Sequence, residues 1–360
     1  MKIGIDGSRA FLKQRTGVEE YSYQVIRQLR TRLKEHRVIL YLRGTQRVDF
    51  SVPKNWQIKK IRFPRLWTQI GLSMELFLHP IDVLFVPAHT VPVFHPKKTV
   101  VTIHGLEYEI MPEAYSPFER FYMRFSIKNS CRWATKIICV SKNTKRDLMN
   151  LYEVPEDKIN IVYEGYEDKT GELDWEDGSE VEEMKPYLFF MGRLEKRKNI
   201  LGIVEAFDLF KKKTKAKHKL VLGGKFGFGE AEIRERIEKS EYRKDIIILG
   251  YVKDVKKWQL FKNAAVFLFP TLYEGFGLPV LEAQSQGVPV VTSNTSSLPE
   301  VANGSAYLVD PTEPEMISEA MITLVQNEKM AKDMIKRGYE NIKRFSWKNC
   351  ADLIATVLTE

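Results

Sequence analysis

The sequence is poor in cysteine and contains no long apolar run. Its 360 residues include three cysteines, Cys131, Cys139 and Cys350, whose spacing fits neither a zinc site nor a disulfide framework. No stretch approaches the roughly 20 apolar residues that a bilayer-spanning helix needs. Residues 1–5 enter a strand pattern without the features of a signal peptide. We therefore predict a cytoplasmic protein whose cysteines are reduced thiols in the core.

Several motifs of nucleotide and ester chemistry are also missing. The absence of a Walker loop, of Gly-X-Gly-X-X-Gly after the first strand and of a Gly-X-Ser-X-Gly elbow removes support for a kinase, a dehydrogenase or a hydrolase. There is no Asp-X-Asp triplet, which a metal-dependent sugar transferase of the single-sheet type needs to hold a divalent cation. We predict no metal site, so basic side chains and helix N-termini must balance any diphosphate charge.

Charge is distributed unevenly along the chain. Residues 1–163 contain 27 Lys and Arg against 15 Asp and Glu, which leaves 29 against 32 for the rest. A basic domain attracts nucleic acid, a phosphorylated acceptor or the inner leaflet of a membrane. Residues 54–67 and 118–125 interleave aromatics with Arg and Lys, which favours a peripheral membrane contact. The alternative is a half-buried strand and helix with solvated basic faces.

Strand-like and helix-like segments alternate in both halves of the chain, which predicts α/β domains with parallel sheets and crossover helices. In the first half we predict strands at 2–6, 38–42, 83–86, 100–103, 137–140 and 161–163, with helices at 18–34 and 117–134. In the second half we predict strands at 187–191, 220–222, 246–249, 266–269 and 288–291, with helices at 199–212, 230–239, 255–263 and 279–286.

The length of the chain predicts two domains rather than one. We place a Rossmann-like domain at 1–164, an acidic linker at 165–186 and a second Rossmann-like domain at 187–344. Parallel sheets bind ligands at the carboxyl ends of their strands, so two facing halves would form one cleft between them.

The most informative segment is Glu274-Gly-Phe-Gly-Leu-Pro-Val-Leu-Glu282, which follows an apolar strand. Its two glycines allow a tight turn, and its proline suits the start of a helix. The N–H groups of Gly277 and Leu278 would then suit a diphosphate, while Glu282 accepts from sugar or ribose hydroxyls. Alternatively, Glu282 is a first-turn dipole partner and Glu274 is a solvated turn residue.

Further candidate groups lie beside predicted strands. Arg193 and Lys198 stand between the strand at 187–191 and the next helix, where they would flank an anion or form a surface cluster. His104 follows a strand and would face the cleft, where it could donate to a substrate hydroxyl or cap the strand without chemistry. Gly17, before the first helix, would let a phosphate approach or simply keep the loop flexible.

Almost the whole chain resembles glycosyltransferase family 4, the retaining enzymes with two facing Rossmann-like domains and an interdomain cleft known as the GT-B fold. The motifs that carry the resemblance follow strands and turns: Leu249-Gly-Tyr-Val252, Asn263-Ala-Ala265, Phe269 to Ala283, Gly287 to Val291, Ser297-Leu-Pro-Glu300 and Leu308-Val-Asp-Pro311. The resemblance also implies that residues 345–360 cross back to the first domain, which is the acceptor side.

The resemblance implies a donor site with a role for each candidate residue. His104 and Glu274 are the catalytic candidates beside the transferred sugar. The donor-binding groups are Glu274, Gly275, Phe276 and Gly277 for the sugar, Arg193, Lys198, Gly17, Gly277 and Leu278 for the diphosphate, and Glu282 and Val252 for the ribose and base.

Two departures from the family pattern stand out. Thr16-Gly17 occupies a place where relatives often have Gly-Gly, and His104-Gly105 one where many have His-Asp. The second departure leaves His104 without the neighbouring carboxylate. Three segments are similar to those of mannosyltransferase-like members that build cell-surface polysaccharides or glycolipids: Thr102-Ile-His104, Cys139-Val-Ser141 and Ser297-Leu-Pro-Glu300.

The resemblance therefore implies a retaining hexosyltransferase, and we predict that it needs no metal or other cofactor. Its donor is a UDP- or GDP-linked sugar, with mannose as the first candidate, and its acceptor is a glycan or a lipid-linked sugar. The alternatives are a sugar-nucleotide epimerase of the same architecture, a phosphorylase-like enzyme and a nucleic-acid-binding protein. The last of these would explain only the basic charge of the N-terminal half. We expect no nucleic-acid partner; the sequence leaves the linkage and the oligomeric state open.

Overall fold

A computed structural model describes residues 1–12, 14–167 and 178–360 of the chain. It divides into two compact units, one of Met1–Gly165 with Phe345–Glu360 and the other of Tyr166–Arg344. Each unit has its own parallel sheet and its own core. Of the predicted linker at 165–186, residues 168–177 lie outside the described residues.

The described part of the first unit has a seven-stranded sheet in the order β3-β2-β1-β4-β5-β6-β7. All its neighbouring strands pair in parallel. Its inner strands are apolar on both faces because helices cover a parallel sheet on both sides. The strands are β1 (Lys2–Asp6), β2 (Arg37–Arg43), β3 (Trp56–Ile61), β4 (Val83–Val86), β5 (Lys98–Ile103), β6 (Lys136–Cys139) and β7 (Ile159–Ile161).

The helices of the first unit begin and end at identifiable signals. Ser116 and Glu119 cap the longest one reciprocally, with N–H to side-chain oxygen distances of 3.0 and 3.2 Å. The helices are α1 (Gly17–Leu29), a π-helical turn (Trp67–Leu72) running into α2 (Ser73–Leu78), α3 (Glu107–Ile110), α4 (Pro117–Trp133) and α5 (Lys142–Tyr152).

The first helix is shorter than the predicted 18–34. It ends at Leu29 because the following residues form tighter turns. Both the N–H and the hydroxyl of Thr31 donate to the carbonyl of Gln28, at 3.3 and 3.2 Å, and this local bonding competes with continuation of the helix.

The second unit has a six-stranded parallel sheet, within the described residues, in the order β10-β9-β8-β11-β12-β13. The fifth predicted strand begins at Val290 rather than 288, because Pro289 has no N–H to donate to a ladder. The strands are β8 (Tyr187–Met191), β9 (Lys219–Gly223), β10 (Ile246–Gly250), β11 (Val266–Phe269), β12 (Val290–Ser293) and β13 (Tyr307–Val309).

The helices of the second unit connect these strands or lie before the first and after the last of them. They are α6 (Ser179–Glu182), α7 (Ile200–Thr214), α8 (Glu230–Glu238), α9 (Asp254–Asn263), α10 (Leu278–Ser285), α11 (Leu298–Ala302), α12 (Pro314–Gln326) and α13 (Glu328–Ile342). Short 3-10 turns occupy Pro112–Ala114 and Glu156–Lys158 in the first unit and Lys196–Lys198 and Arg243–Asp245 in the second.

A last helix, α14 (Trp347–Thr359), belongs to the first unit. It packs against α1, where the ring centroids of Tyr21 and Trp347 are 6.0 Å apart and Arg32 lies 2.7 Å from Asp352. Gly165 fits closely against this helix, since a Cβ there would lie 2.1 Å from the Trp347 nitrogen.

The two aromatic and basic stretches differ in how they pack. Trp56 and Trp67 are buried, in agreement with the alternative interpretation of residues 54–67. On α4, by contrast, Phe118, Phe121 and Phe125 are 76%, 67% and 59% exposed. Of the helices that the structure describes, none has the length and apolar character to span a bilayer. The cysteines are buried free thiols, as predicted.

Candidate active site

The segment 274–282 forms a turn between a buried strand and a helix. Strand β11 ends at Phe269, and α10 begins at Leu278 with Pro279 in its first turn. Gly277 has a φ of +120°, and a Cβ there would lie 2.7 Å from Cδ2 of Leu298. The turn therefore requires glycine at this position.

Two serines before α11 hold this turn in place. Ser297 Oγ donates to the carbonyl oxygen of Phe276 at 2.6 Å and lies 2.9 Å from that of Glu274. Ser296 Oγ accepts from the N–H of Glu274 at 3.2 Å. The side chain of Phe276 is buried, so the part of this residue that could meet a donor sugar is its backbone.

Glu274 is buried against two cations. Its Oε1 lies 2.5 Å from Lys198 Nζ and 3.4 Å from Arg197 Nη1. Burial by itself would raise the pKa of Glu274, but Lys198 and Arg197 outweigh this effect and hold the pKa below its ordinary value. Burial lowers the pKa of Lys198 despite the nearby carboxylate. Glu274 is therefore the partner whose charge the surroundings stabilise.

This pair is part of a wider ionic network. Glu195 accepts from Arg197 at 3.0 Å and lies 4.0 Å from Arg193, whose side chain is 65% exposed. The structure thus connects three predicted residues, Arg193, Lys198 and Glu274, through two that the sequence analysis missed. Arg197 and Glu195 lie in a charged run that is typical of a solvated surface. Its position between a strand and a helix was the one signal in the sequence that indicated a functional segment.

Asn199 fixes the short turn that carries Lys198. Its backbone is left-handed, with a φ of +58°, and α7 begins directly after it. The buried side-chain amide donates to the carbonyl oxygens of Pro270 and Pro311, at 3.0 and 2.6 Å. These bonds join the turn to the end of β11 and thereby to the loop that holds Glu274.

Glu282 pairs with a lysine that the sequence analysis did not predict. Its Oε1 lies 2.5 Å from Lys257 Nζ, and both side chains are 18% exposed. Lys257 also lies 5.0 Å from the ring centroid of Trp258. A carboxylate has two acceptor oxygens, so this ion pair leaves Glu282 able to accept from ribose hydroxyls.

The surroundings of Val252 are apolar. The residue follows β10 and is buried, with its Cγ2 3.3 Å from where a Cβ on Gly223 would lie. The predicted contact of Val252 with a base and the predicted contacts of Leu278 and Gly275 through their backbones remain predictions.

Acidic side chains surround the start of α1, where Gly17 was predicted to receive a diphosphate. Glu19 Oε2 accepts from the N–H of Thr16 at 3.2 Å and also contacts its hydroxyl. Glu20 lies in the same turn and pairs with Arg15 at 2.9 Å. Carboxylates at a helix N-terminus oppose a second anion, so these neighbours lend the predicted role of Gly17 no support.

His104 follows β5 as predicted, but its imidazole is buried, whereas we had expected it to face away from the core. Its ring is buried, with Nε2 2.9 Å from the carbonyl oxygen of Pro87 and Nδ1 3.3 Å from Oε1 of Glu164. Tyr21 packs edge-on against it at a centroid distance of 4.5 Å. The imidazole turns inward because both nitrogens find partners in the core of the first unit. Its predicted catalytic role remains a prediction.

Glu164 is a candidate that the sequence analysis missed. The residue lies at the border of the predicted linker, yet it is buried beside His104. Many relatives have an aspartate directly after this histidine, whereas this chain has Gly105. Glu164 places a carboxylate beside His104 from elsewhere in the chain. A signal was present in the sequence, because an acidic residue directly follows the apolar pattern of the last strand of the first unit.

A cavity of about 390 Å³ lies at the carboxyl ends of β1, β2 and β4 in the first unit. Its polar lining includes Asp6, Arg9 and Arg43, and its aromatic lining includes Phe118 and Tyr122. Burial raises the pKa of Asp6, while the Ser8 hydrogen bonds and the nearby arginines act against the rise. Aromatic rings beside hydrogen-bonding groups are a combination that suits a sugar.

The sequence of the chain matches two protein families. Residues 173–341 match the family described as Glycosyl transferases group 1, and residues 15–169 match the one described as Glycosyltransferase Family 4. O-antigen chain mannosyltransferase B of Escherichia coli is 32% identical over 274 residues, which cover 71% of this chain and 68% of that protein. O-antigen chain mannosyltransferase RfbU of Salmonella typhimurium is 22% identical over 272 residues, which cover 76% and 72%.

Solved structures share the fold at low sequence identity. WaaG, a glycosyltransferase involved in lipopolysaccharide biosynthesis, has a TM-score of 0.72 at 16% identity, with 99% of each chain covered. Anabaena HepE in complex with UDP and glucose has a TM-score of 0.72 at 16% identity, covering 100% of this chain and 99% of that one. The α/β fold with two parallel-sheet Rossmann-like domains of the GT-B class is confirmed. With the sequence matches, it shows that this chain belongs to glycosyltransferase family 4.

Proposed function

We propose that this glycosyltransferase moves mannose from a UDP- or GDP-linked donor to a glycan or lipid-linked acceptor in the synthesis of a cell-surface polysaccharide. The observation that carries the transfer chemistry is the buried pair of Glu274 and Lys198 beside the glycine turn before α10. The names of both mannosyltransferase relatives support mannose and favour a transferase over an epimerase.

The charges around Glu274 support a role for this network in stabilising the leaving diphosphate. Arg193, Arg197 and Lys198 together carry one more charge than Glu195 and Glu274, so the network has room for an anion. As the bond between the anomeric carbon and the β-phosphate oxygen breaks, negative charge grows on the diphosphate, and preorganised cations lower that barrier. A bond then forms from an acceptor oxygen to the same face of the sugar, and a diphosphate oxygen takes the acceptor proton.

The proposed reaction uses protein cations rather than a divalent metal. Within the parts of the chain that the structure describes, no group of three or more His, Cys, Asp and Glu side chains could hold a metal ion. The solvent-exposed guanidinium of Arg193 and the buried ammonium of Lys198 supply positive charge instead. Transfer is expected to continue at an unchanged rate in the presence of EDTA, and loss of activity that Mg²⁺ or Mn²⁺ restores would contradict this part of the proposal.

We assign the acceptor to the cavity at the carboxyl ends of β1, β2 and β4. Phe118 and Tyr122 can stack on a sugar ring, while Asp6 and Arg43 can bond its hydroxyls. The two arginines, Arg9 and Arg43, also suit an acceptor that carries phosphate. A lipid-linked acceptor fits the location because Phe118 continues onto the exposed aromatic face of α4.

We further propose that the first unit contacts the inner face of a membrane. The exposed residues Phe118, Phe121 and Phe125 lie on α4, and the exposed cations Lys128 and Arg132 follow on the same helix. Exposed aromatics beside cations are typical of segments that bind at a lipid interface. Flotation with vesicles of phosphatidylcholine, with and without phosphatidylglycerol, tests this contact. Binding that requires phosphatidylglycerol supports it, and absence of binding to either vesicle contradicts it.

The transfer itself is tested by incubating the protein with a panel of UDP- and GDP-linked sugars and a lipid-diphosphate-linked glycan. We expect one mannose donor to give a glycan product together with free nucleoside diphosphate. Arg193→Ala is expected to lower turnover by roughly 100-fold or more, as loss of a charge-stabilising donor does. Arg234→Ala, which removes an exposed arginine of α8, is the matched control. Conversion of the donor sugar without an acceptor would instead identify an epimerase.

A further inference from the structure

A cavity of about 560 Å³ lies between α4 and the end of α5 in the first unit. It shares none of its lining residues with the proposed acceptor cavity. Its walls are apolar at Phe121, Phe125, Cys131, Tyr152 and Val154. The volume falls within the roughly 300–1,000 Å³ of small-molecule sites.

The side chains that line the cavity change from aromatic to cationic along α4. Phe121, Phe125, Lys128 and Arg132 follow one another at helical spacings of four, three and four residues, so they share one face of the helix. The two aromatic rings come first and stack with centroids 6.3 Å apart. The two cations come last. The cavity therefore has an aromatic end and a cationic end.

Hydrogen bonds connect the polar residues of one wall of the cavity. Glu109 accepts from Arg124 at 2.6 and 2.5 Å and from the Tyr152 hydroxyl at 2.8 Å. A further bond of 2.7 Å joins the Tyr152 hydroxyl to that of Tyr108. The charge of Arg124 is thereby neutralised by Glu109. An anion in this cavity would therefore have to bind to the other cations of the lining.

That end is formed by Lys128, Arg132 and Lys158. Among the described residues none of the three makes an ion pair: Lys158 donates to the carbonyls of Arg132 and Ala134, at 3.3 and 3.2 Å, and Lys128 lies 5.8 Å from the Tyr152 ring. Glu153 is the carboxylate in the lining, so cations outnumber acids at this site. The site is complementary to a molecule with a phosphate at one end and a hydrocarbon chain at the other.

We propose that this cavity binds one anionic phospholipid of the bilayer, with its phosphate at Lys128, Arg132 and Lys158 and an acyl chain lying across the rings of Phe121 and Phe125. Burying the exposed rings under a chain is favourable, and the cations gain a negatively charged partner. This goes beyond the proposed transferase activity, which does not require the cavity to be filled. It also goes beyond a general membrane contact, because it assigns a site for a single lipid.

The test uses dihexanoyl phosphatidylglycerol below its micelle concentration, so that a single lipid is measured apart from a membrane. Calorimetry should show saturable binding of one equivalent. Lys128→Glu with Arg132→Glu, and separately Phe121→Ser with Phe125→Ser, are expected to weaken that binding by roughly 10-fold or more. The control is Lys212→Glu with Lys329→Glu, which changes the charge equally at exposed positions of α7 and α13 in the second unit.

Three outcomes would overturn the proposal. Equal binding of dihexanoyl phosphatidylcholine would show that the anionic end is not used. Equal binding of glycerol phosphate would show an adventitious anion only. Unchanged lipid affinity in both cavity variants would place the lipid elsewhere. Glycosyl transfer to a short water-soluble acceptor should be unchanged in the cavity variants, so failure of the lipid site and failure of the proposed transferase are told apart.

Discussion

His104 Nδ1 lies 3.3 Å from Oε1 of Glu164, 60 residues further along the chain. The carboxylate thus comes from the end of the first segment of this unit and not from the residue after the histidine. Nε2 of the same ring lies 2.9 Å from the carbonyl oxygen of Pro87, so both nitrogens face oxygen acceptors. Glu164 therefore fixes the orientation of a ring that the sequence alone leaves without a partner.

Removal of Glu164 should destabilise the first unit. Glu164→Ala leaves His104 Nδ1 buried without a partner, so we expect the free energy of unfolding to fall by about 1–3 kcal/mol. Glu164→Gln should cost less, because an amide oxygen can still accept from the ring. Urea unfolding measures both. The control is Glu156→Ala, which removes an exposed ion pair with Lys145 and should change stability by about 0.5 kcal/mol or less. Equal losses at positions 164 and 156 would contradict the pairing.

Glu282 and Lys257 should differ in their effects on donor binding. Glu282→Ala is expected to weaken binding of the donor nucleoside diphosphate by about 1.5–3 kcal/mol, the range for a hydrogen bond to a charged partner. Lys257→Met should have a smaller effect, since the carboxylate remains. Calorimetry with UDP and GDP measures this order. Lys256→Met, which breaks an exposed pair with Glu180, is the control on the same helix. Unchanged affinity in a folded Glu282→Ala protein would remove its ribose role.

The pH dependence of stability should report on Glu274. Because Lys198 and Arg197 hold its folded-state pKa below the ordinary 4.5, despite burial, its ionised form contributes stability above that value. This contribution is lost as the pH falls below 4.5 and through the lower folded-state pKa. The wild-type protein should therefore lose stability more steeply with acid than Glu274→Gln does. Thermal unfolding across that window measures the slopes, with Glu319→Gln on the exposed face of α12 as control. Parallel curves for wild type and Glu274→Gln would refute the assignment.

The two predicted phosphate-loop glycines should respond differently to alanine. Gly277→Ala forces a Cβ against Leu298 at a φ of +120°, so we expect a loss of about 1–3 kcal/mol in unfolding free energy. Gly17 opens α1 with no atom within 4 Å of the new Cβ, so Gly17→Ala should be neutral or stabilising by about 0.4–1 kcal/mol. Chemical denaturation measures both. Donor affinity that survives Gly17→Ala unchanged would count against its predicted role with the diphosphate.

Local patterns in the sequence were sufficient to predict the strand–turn–helix unit around Glu274. Apolar residues set β11, and glycine and proline set the turn and the start of α10, so no distant contact was needed. The pairs His104–Glu164 and Glu282–Lys257 could not be predicted in this way, because each joins separate elements through tertiary packing. The exposure of Phe121 does not fit the alternative interpretation of residues 118–125, in which aromatics at helical spacing pack inward.

The close fit of Gly165 against Trp347 has a consequence for how the protein is made. The first unit consists of two segments separated by the whole second unit, and α14 covers one side of α1. During synthesis, residues 1–165 leave the ribosome long before Phe345–Glu360 has been made. The apolar side of α1 that includes Tyr21 therefore stays exposed to solvent until α14 is available to cover it. The second unit is continuous and can fold as soon as it emerges. The N-terminal unit is therefore the later of the two to be completed, and nascent chains that stall before residue 345 lack a finished domain at their start.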